Sequence, residues 1–252
     1  VYAPGVDRNT RLLGWSMTKT MSNALIGNLV KHGLADISKP APVPAWSGDD
    51  RKNITLNNLL QMSSGLDWEE NYGKLSSVTR MLYLEPDMVA FSLQPPLRSA
   101  PDEEWVYSSG TSNILSGIIR SSLPSDEAYF AFPYDSLYDA IGMKSAVLET
   151  DAAGNYVFSS YCWATARDWT RFGLLYLNKG NWLGKPVFTE EWADYSTTPA
   201  KAANKRYSAQ IWLNAADNPD MKTAPPDAYY EDGFGGQRVL IIPSRDLVIV
   251  ML

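Results

Sequence analysis

The chain has 252 residues, of which 45% are hydrophobic and 20% charged, and its formal net charge is −6. These values are typical of a globular protein of one or two domains, and they exclude a collagen-like, coiled-coil or wholly disordered chain. The acidic balance argues against binding to duplex nucleic acid, which needs a basic surface. No apolar run approaches the roughly 20 residues of a membrane helix, so we expect no integral membrane segment.

Cysteine and histidine each occur once, as Cys162 and His32. An internal disulfide and the usual Cys/His zinc clusters are therefore excluded. Carboxylate sites for magnesium or calcium remain open, but no Asp/Asn-rich loop has the calcium-binding pattern. We expect no metal and no cofactor.

Apolar periodicity predicts helices through the first half of the chain. The first covers residues 16–32, where apolar residues recur at helical spacing and Gly33 ends the helix. His32 lies in its last turn, where the helix dipole favours a histidine, so a structural role is favoured over a catalytic one. Further helices are predicted over residues 54–62, 77–84, 87–93 and, after a loop at 108–110, over 113–121.

The second half of the chain combines one strong helix with strands. Thr165 and Asp168 form a capping-box pattern, and apolar residues continue that helix to about residue 177. β-branched or apolar runs predict strands over residues 208–213, 238–242 and 247–252. The tight connection at 243–246 makes the last two strands an antiparallel hairpin.

This order of elements indicates an α+β fold, in which an antiparallel sheet is flanked by helices and carries a mostly helical insertion domain. We expect residues 1–35 and 200–252 to form the sheet domain as a discontinuous unit. Residues 36–199 are expected to form the helical domain.

The segment Ser16-Met17-Thr18-Lys19 offers a route to an activated serine without histidine. Residues three apart on a helix share a face, so Ser16 and Lys19 can bring a hydroxyl group and an amine together. The helix N-terminus can stabilise an oxyanion, and its dipole and burial lower the pKa of Lys19 towards that of a useful base. Alone the pattern is weak, because a capping serine followed by a solvated lysine is more common.

Two later segments add context. Tyr107 lies in a polar loop, and the run Tyr-Tyr-Glu-Asp-Gly-Phe-Gly-Gly-Gln at residues 229–237 leads into a strand. The three glycines of that run permit close approach of the backbone to a ligand or to another segment. Each segment by itself has a plain structural interpretation, as a packed loop aromatic and as a turn.

Together, and in this order, the segments resemble the serine β-lactamase-like, penicillin-recognising hydrolases. More narrowly, they resemble the branch that holds family VIII carboxylesterases, class C β-lactamases and 6-aminohexanoate-dimer hydrolase. The matching motifs are Ser16-x-x-Lys19, Tyr107-Ser108-Ser109 in place of the family's Tyr-x-Asn, and Gly233-Phe234-Gly235-Gly236-Gln237 at the family's Lys/His-Thr-Gly strand. The likeness extends from Arg11 through the rest of the chain.

The resemblance implies a role for each matched residue. Ser16 is expected to be the nucleophile, Lys19 the general base, alone or shared with Tyr107, and Tyr107 the group that relays a proton to the leaving group and later helps to activate water. The backbone N–H groups of Ser16 and Phe234 would form the oxyanion hole of a reaction that passes through an acyl-enzyme. The expected substrate-pocket residues are Ser109, Glu231, Asp232, Gly233 and Gly235.

The sequence also departs from the family pattern. Glu231 and Asp232 replace the Lys or His of the third motif, so we expect a substrate carboxylate to lose its cation and to meet either repulsion or no partner there. This favours an esterase or amide hydrolase of small molecules, with a β-lactamase or a penicillin-binding sensor as the alternative. The family's first helix and strands and its last helix are expected to be missing from this chain. The resemblance suggests a periplasmic or secreted protein and leaves the oligomeric state open.

Overall fold

The computed structural model describes residues 1–215, 218 and 221–252. The helices among these residues are α1 (Thr18–Lys31), α2 (Leu56–Leu60), α3 (Ser77–Leu84), α4 (Met88–Ser92), α5 (Ser109–Ser121), α6 (Asp126–Pro133), α7 (Ala166–Leu177) and α8 (Glu190–Thr197). The strands are β1 (Arg11–Leu13), β2 (Val147–Leu148), β3 (Cys162–Thr165), β4 (Asn181–Trp182), β5 (Lys185–Pro186), β6 (Trp212–Leu213), β7 (Tyr229–Asp232), β8 (Arg238–Ile242) and β9 (Leu247–Met251).

Helix α1 is buried along most of its length, from Thr18 to Leu29. Its polar side chains are paired inside the molecule: Asn23 Nδ2 donates to the carbonyl group of Ala209 at 2.9 Å, and Asn23 Oδ1 accepts from Tyr176, Trp192 and Ser196. Because buried polar groups must be paired, these bonds fix α1 against its neighbours. The predicted helix over residues 16–32 is confirmed, and its first turn is a 3-10 turn, Trp15–Met17.

The strands form open antiparallel sheets. The largest has the order β6-β7-β8-β9, a second has the order β1-β3-β2, and β4 pairs with β5. The last two strands are the predicted hairpin, with Ile241 opposite Val248. Helix α7 packs across β8 and β9. The α+β class with antiparallel sheets flanked by helices is therefore confirmed, whereas the domain boundaries at 35/36 and 199/200 stay a prediction.

Two element predictions were wrong. Helix α5 begins at Ser109, because the side chain of Ser108 accepts from the backbone N–H of Thr111 and caps it. Residues 109–110 are therefore helical, and only Ser108 of the predicted loop lies outside the helix. The predicted strand over residues 208–213 is a strand only at Trp212–Leu213. Before it the chain turns, with Ser208 N donating to Ile211 O at 2.9 Å and with Gln210 at a φ of 62°.

Of the two hydrogen bonds of the capping box predicted at the start of α7, one is confirmed. Thr165 accepts from the backbone N–H of Asp168, as predicted. The Asp168 carboxylate accepts instead from the backbone N–H and the hydroxyl group of Ser145 and pairs with Arg171. A side chain that was expected to act locally therefore ties α7 to the loop before β2.

Candidate active site

The start of α1 holds Ser16 in a strained turn. Trp15 has a φ of 48°, in the left-handed region that a large side chain rarely adopts. Such conformations persist where the surrounding structure enforces them, often at functional sites. Gly14, just before, is held by a 2.8 Å hydrogen bond from its N–H to the carbonyl group of Cys162 on β3. This turn places the half-buried Ser16 side chain at the N-terminal end of α1.

Lys19 lies one turn further along and is 1% exposed. Its Nζ donates to Ser16 Oγ at 2.9 Å, to Ser109 Oγ at 3.0 Å and to the carbonyl oxygen of Ser159 at 2.8 Å. Burial opposes the charged form and lowers the pKa of Lys19 to about 8, while the negative charge of Glu70 acts in the opposite direction. The structure thus brings Ser16, Lys19 and Ser109 together.

Glu70 lies next to this group and was not predicted from the sequence. Its two oxygens accept from Trp68 Nε1 at 2.6 Å, from the Tyr72 hydroxyl group at 2.9 Å, and from the backbone N–H and hydroxyl group of Ser109 at 2.9 and 2.5 Å. Ser109 is the first residue of α5, so the carboxylate also faces the positive end of that helix. Four donors on one carboxylate make it a fixed part of the site.

Two tyrosines lie beside Ser16. Lys19 Nζ is 4.9 Å from the centre of the Tyr107 ring. Desolvation raises the pKa of Tyr107 well above its ordinary value, and it also raises the pKa of Tyr72, while the nearby Ser16 side chain lowers both. Both groups are therefore neutral phenols near neutral pH, able to donate or relay a proton.

The loop after β7 approaches the turn of Ser16. A Cβ on Gly233 would lie 2.3 Å from the carbonyl oxygen of Gly14, so only glycine fits this contact. The next residue, Phe234, is 56% exposed and has its ring centre 5.7 Å from that of Trp15. Gly235 follows with a φ of 89°. The loop therefore passes close to the Ser16 turn, and the oxyanion hole of Ser16 N–H and Phe234 N–H stays a prediction.

The two acidic residues of β7 are not placed as expected. Glu231 is 1% exposed, and neither oxygen of its carboxyl group has a hydrogen-bond partner among the described residues. Burial raises the pKa of Glu231 well above its ordinary value. Asp232 pairs with Arg238 of β8 at 2.5 Å. Since one group is buried and the other is paired, repulsion of a substrate carboxylate by free acidic side chains finds no support here, and the other expected outcome, a substrate carboxylate without a partner at this position, stays a prediction.

One signal in the sequence indicates how Glu70 could have been found. Trp68, Glu70 and Tyr72 occupy alternate positions of a segment without helix, and alternate residues of extended chain point to one side. The acidic and aromatic side chains therefore share a face. Nothing local, however, indicates that this face meets Ser109, which is 39 positions away.

No helix in the described part of the chain is long and apolar enough to cross a membrane.

The fold and this site define a member of the β-lactamase-fold serine hydrolase superfamily. The chain belongs to the Beta-lactamase family, whose profile matches residues 2–252. A comparison with curated proteins finds no match.

Solved structures show the same fold at low sequence identity. A Bacillus anthracis protein, provisionally named a 6-aminohexanoate-dimer hydrolase, is 22% identical with a TM-score of 0.82, over 99% of this chain and 69% of that one. A family VIII carboxylesterase is 15% identical with a TM-score of 0.73, over 96% of this chain and 76% of that one. A penicillin-binding protein from Bacillus halodurans is 14% identical with a TM-score of 0.75, over 97% and 82% of the two chains.

Proposed function

We propose that the protein is a serine hydrolase that cleaves neutral esters or small amides through an acyl-enzyme on Ser16. The observation that carries this proposal is the 2.9 Å hydrogen bond between Ser16 Oγ and the buried amine of Lys19. A lysine with a pKa of about 8 is partly neutral near neutral pH and can accept the serine proton.

The reaction then follows in two steps. Lys19 takes the proton of Ser16 as Oγ attacks the substrate carbonyl group, and the backbone N–H groups of Ser16 and Phe234 stabilise the oxyanion. The phenol of Tyr107 gives its proton to the leaving group, and the proton on Lys19 restores that phenol. Water next attacks the acyl-enzyme and loses a proton to the same pair of groups. The pair then gives that proton to Ser16 Oγ as the bond to the acyl carbon breaks, which releases the acid and regenerates Ser16.

The surroundings of Ser16 favour a neutral substrate. The rings of Trp15 and Tyr72 both contact the exposed Phe234, at centre distances of 5.7 and 5.4 Å, and present apolar surface beside the nucleophile. The donors of Lys19 are used within the protein, and Arg238 is paired with Asp232. Neither cation is available to hold a substrate carboxylate. The carboxylesterase and amide-hydrolase names among the structural neighbours also support this class.

Hydrolysis of p-nitrophenyl butyrate and of nitrocefin tests the proposal. We expect kcat/KM for the ester to exceed that for nitrocefin by at least about tenfold, the factor that corresponds to 1.4 kcal/mol. Ser16→Ala should lower ester hydrolysis by several orders of magnitude, because the nucleophile is lost. Ser47→Ala, at an exposed serine, is the matched control.

Two results would contradict the proposal in different ways. A wild-type protein that prefers nitrocefin is a β-lactamase. A Ser16→Ala protein that keeps more than about a tenth of the activity does not use Ser16 as its nucleophile.

A further inference from the structure

Lys19 has one hydrogen-bond acceptor for each proton of its ammonium group. These are Ser16 Oγ, Ser109 Oγ and the carbonyl oxygen of Ser159. After Lys19 loses a proton, its amine has two N–H groups and one lone pair. Only a lone pair that points at Ser16 makes Lys19 a base, so the other two partners must accept and must not donate.

The carbonyl oxygen of Ser159 can only accept, and its peptide is held in place. The backbone N–H of Ser160, in the same peptide unit, donates to the carbonyl oxygen of Val157 at 3.1 Å. The preceding peptide is held as well, because the N–H of Ser159 donates to Asn113 Oδ1 on the buried helix α5 at 3.1 Å. A carbonyl group in this orientation has no proton to offer to the amine of Lys19. This partner therefore always takes one N–H of Lys19.

The hydroxyl group of Ser109 could in principle either accept or donate. Its single proton lies in the 2.5 Å hydrogen bond to Glu70 Oε1, and a carboxylate is an acceptor only. Ser109 Oγ therefore turns a lone pair, and not its proton, towards Lys19. Glu70 is itself held by Trp68, Tyr72 and the backbone N–H of Ser109, so it keeps this orientation.

We propose that Glu70 is a positioning residue, which acts through the hydroxyl group of Ser109 to direct the lone pair of Lys19 at Ser16. This role rests on the proposed function, because it matters only where Lys19 is the base. Glu70 does not exchange a proton with substrate. It determines which of the three partners of Lys19 loses its hydrogen bond when the amine becomes neutral, and that partner is Ser16.

The substitution Glu70→Gln separates this role from simple support of the fold. A glutamine amide can donate to Ser109 Oγ, which frees the Ser109 proton to bond to the lone pair of Lys19. The maximal rate should then fall at least about tenfold. The loss of the negative charge and the donation from Ser109 both oppose the ammonium form, so the pKa of Lys19 falls as well.

Glu70→Gln should therefore have a lower plateau of kcat, and the midpoint of the rise of kcat with pH should shift to a lower pH. The other titratable groups that face this cluster are Tyr72, Tyr107 and Tyr207, and burial raises the pKa of each, so none of them titrates in this range. A role in folding alone would reduce the rate by the same factor at every pH and would leave the midpoint unchanged.

Glu69→Gln is the matched control, since Glu69 is the adjacent glutamate, is exposed and pairs with Lys74. Ser109→Ala is the second variant. It leaves Glu70 hydrogen-bonded to Trp68 and Tyr72 but removes the hydroxyl group that joins Glu70 to Lys19. The double variant Glu70→Gln/Ser109→Ala should be no slower than the slower single variant, because both changes interrupt one path.

The experiment measures kcat for p-nitrophenyl butyrate from pH 5 to 10 and, on the same proteins, the titration of Lys19 by ¹³C NMR of labelled lysine, assigned with Lys19→Arg. We expect Glu70→Gln to lower both the plateau and the midpoint, with the NMR midpoint moving down by at least about half a pH unit. Glu69→Gln should match the wild type.

The titration does not depend on turnover, so the two proposals can fail separately. Suppose that the wild type shows Ser16-dependent hydrolysis and that Glu70→Gln has the same kcat plateau and the same midpoint as the control. This result would overturn the role of Glu70 and leave the proposed function standing. An inactive wild type would overturn the proposed function. If the wild type is inactive, an unchanged titration of Lys19 in Glu70→Gln and in Ser109→Ala would also overturn the link from Glu70 through Ser109 to Lys19. If Glu70→Gln does not fold, a Ser109→Ala protein with the wild-type plateau would likewise overturn the role of Glu70.

Discussion

At the scale of single residues, the buried side chains of Lys19 and Glu231 differ in their hydrogen bonding and in the direction in which burial shifts their pKa values. Lys19 has three hydrogen-bond acceptors, and its lowered pKa of about 8 makes it reactive. Glu231 lies on β7 without a partner among the described residues, and burial raises its pKa. An unpaired buried carboxyl group destabilises the fold, and the cost grows when the group must ionise.

The effect of Glu231 on stability depends on pH in a definite direction. Its pKa in the folded protein is raised above the unfolded value near 4.5, so above about pH 4.5 the unfolded chain loses a proton that the folded protein keeps. This favours unfolding more and more as the pH rises, by at most about 1.4 kcal/mol per pH unit. The neighbouring Cys162, Tyr176 and Tyr229 have raised pKa values and stay neutral in this range.

We therefore expect Glu231→Gln to remove part of the loss of stability between pH 5 and pH 8. Urea denaturation at several pH values measures the free energy of unfolding of the variant and of the wild type. The exposed Glu69→Gln is the control and should keep the wild-type slope. Equal slopes for Glu231→Gln and wild type would show that the Glu231 carboxyl group ionises normally in the folded protein.

At the scale of elements, the site depends on the close approach of the loop after β7 to the start of α1. Gly233 makes this approach possible, since any Cβ there would lie 2.3 Å from the carbonyl oxygen of Gly14. A larger residue must push the two segments apart, and the backbone N–H of Phe234 would move with the loop. This contact joins elements that are more than 200 positions apart in the chain.

Gly233→Ala should therefore lower kcat and, because the clash is with a backbone atom, should also lower the stability of the fold, which thermal unfolding measures. If Phe234 N–H is an oxyanion donor, its displacement should reduce kcat for p-nitrophenyl butyrate by about a hundredfold or more. Gly48→Ala is a suitable control, because a Cβ at Gly48 meets nothing within 4 Å. A Gly233→Ala enzyme with wild-type kcat would remove this loop from the oxyanion hole.

At the scale of the whole molecule, the sequence predicts what depends on local patterns. Helix α1 and the hairpin of β8 and β9 follow from spacing and end signals within a few residues. The pairing of Ser16 with Lys19 follows from their spacing together with the family resemblance. The contact between Glu70 and Ser109 did not follow, because it joins a segment without regular structure to the start of a helix 39 positions later.

The placement of the acidic residues on β7 shows a second limit. Neighbouring residues of a strand point to opposite faces, and only the packing of the sheet decides which face is buried. Glu231 points into the core, and Asp232 meets Arg238 on the adjacent strand. The sequence motif predicted that Glu231 and Asp232 both lie beside the substrate. An unpaired carboxyl group is rarely buried in a protein core, so the sequence offered no reason to expect Glu231 there.

The pH dependence of acylation tests the central claim most directly, that a neutral Lys19 activates Ser16. The release of p-nitrophenol in the first turnover, followed by stopped flow from pH 5 to 10, should rise with a midpoint near 8, since only deprotonated Lys19 can take the serine proton. Lys19→Arg keeps its charge at every pH and should acylate at least about a hundredfold more slowly, with thermal unfolding as the check on its fold. An acylation rate that does not change between pH 6 and pH 9, or an active Lys19→Arg enzyme, would contradict the account.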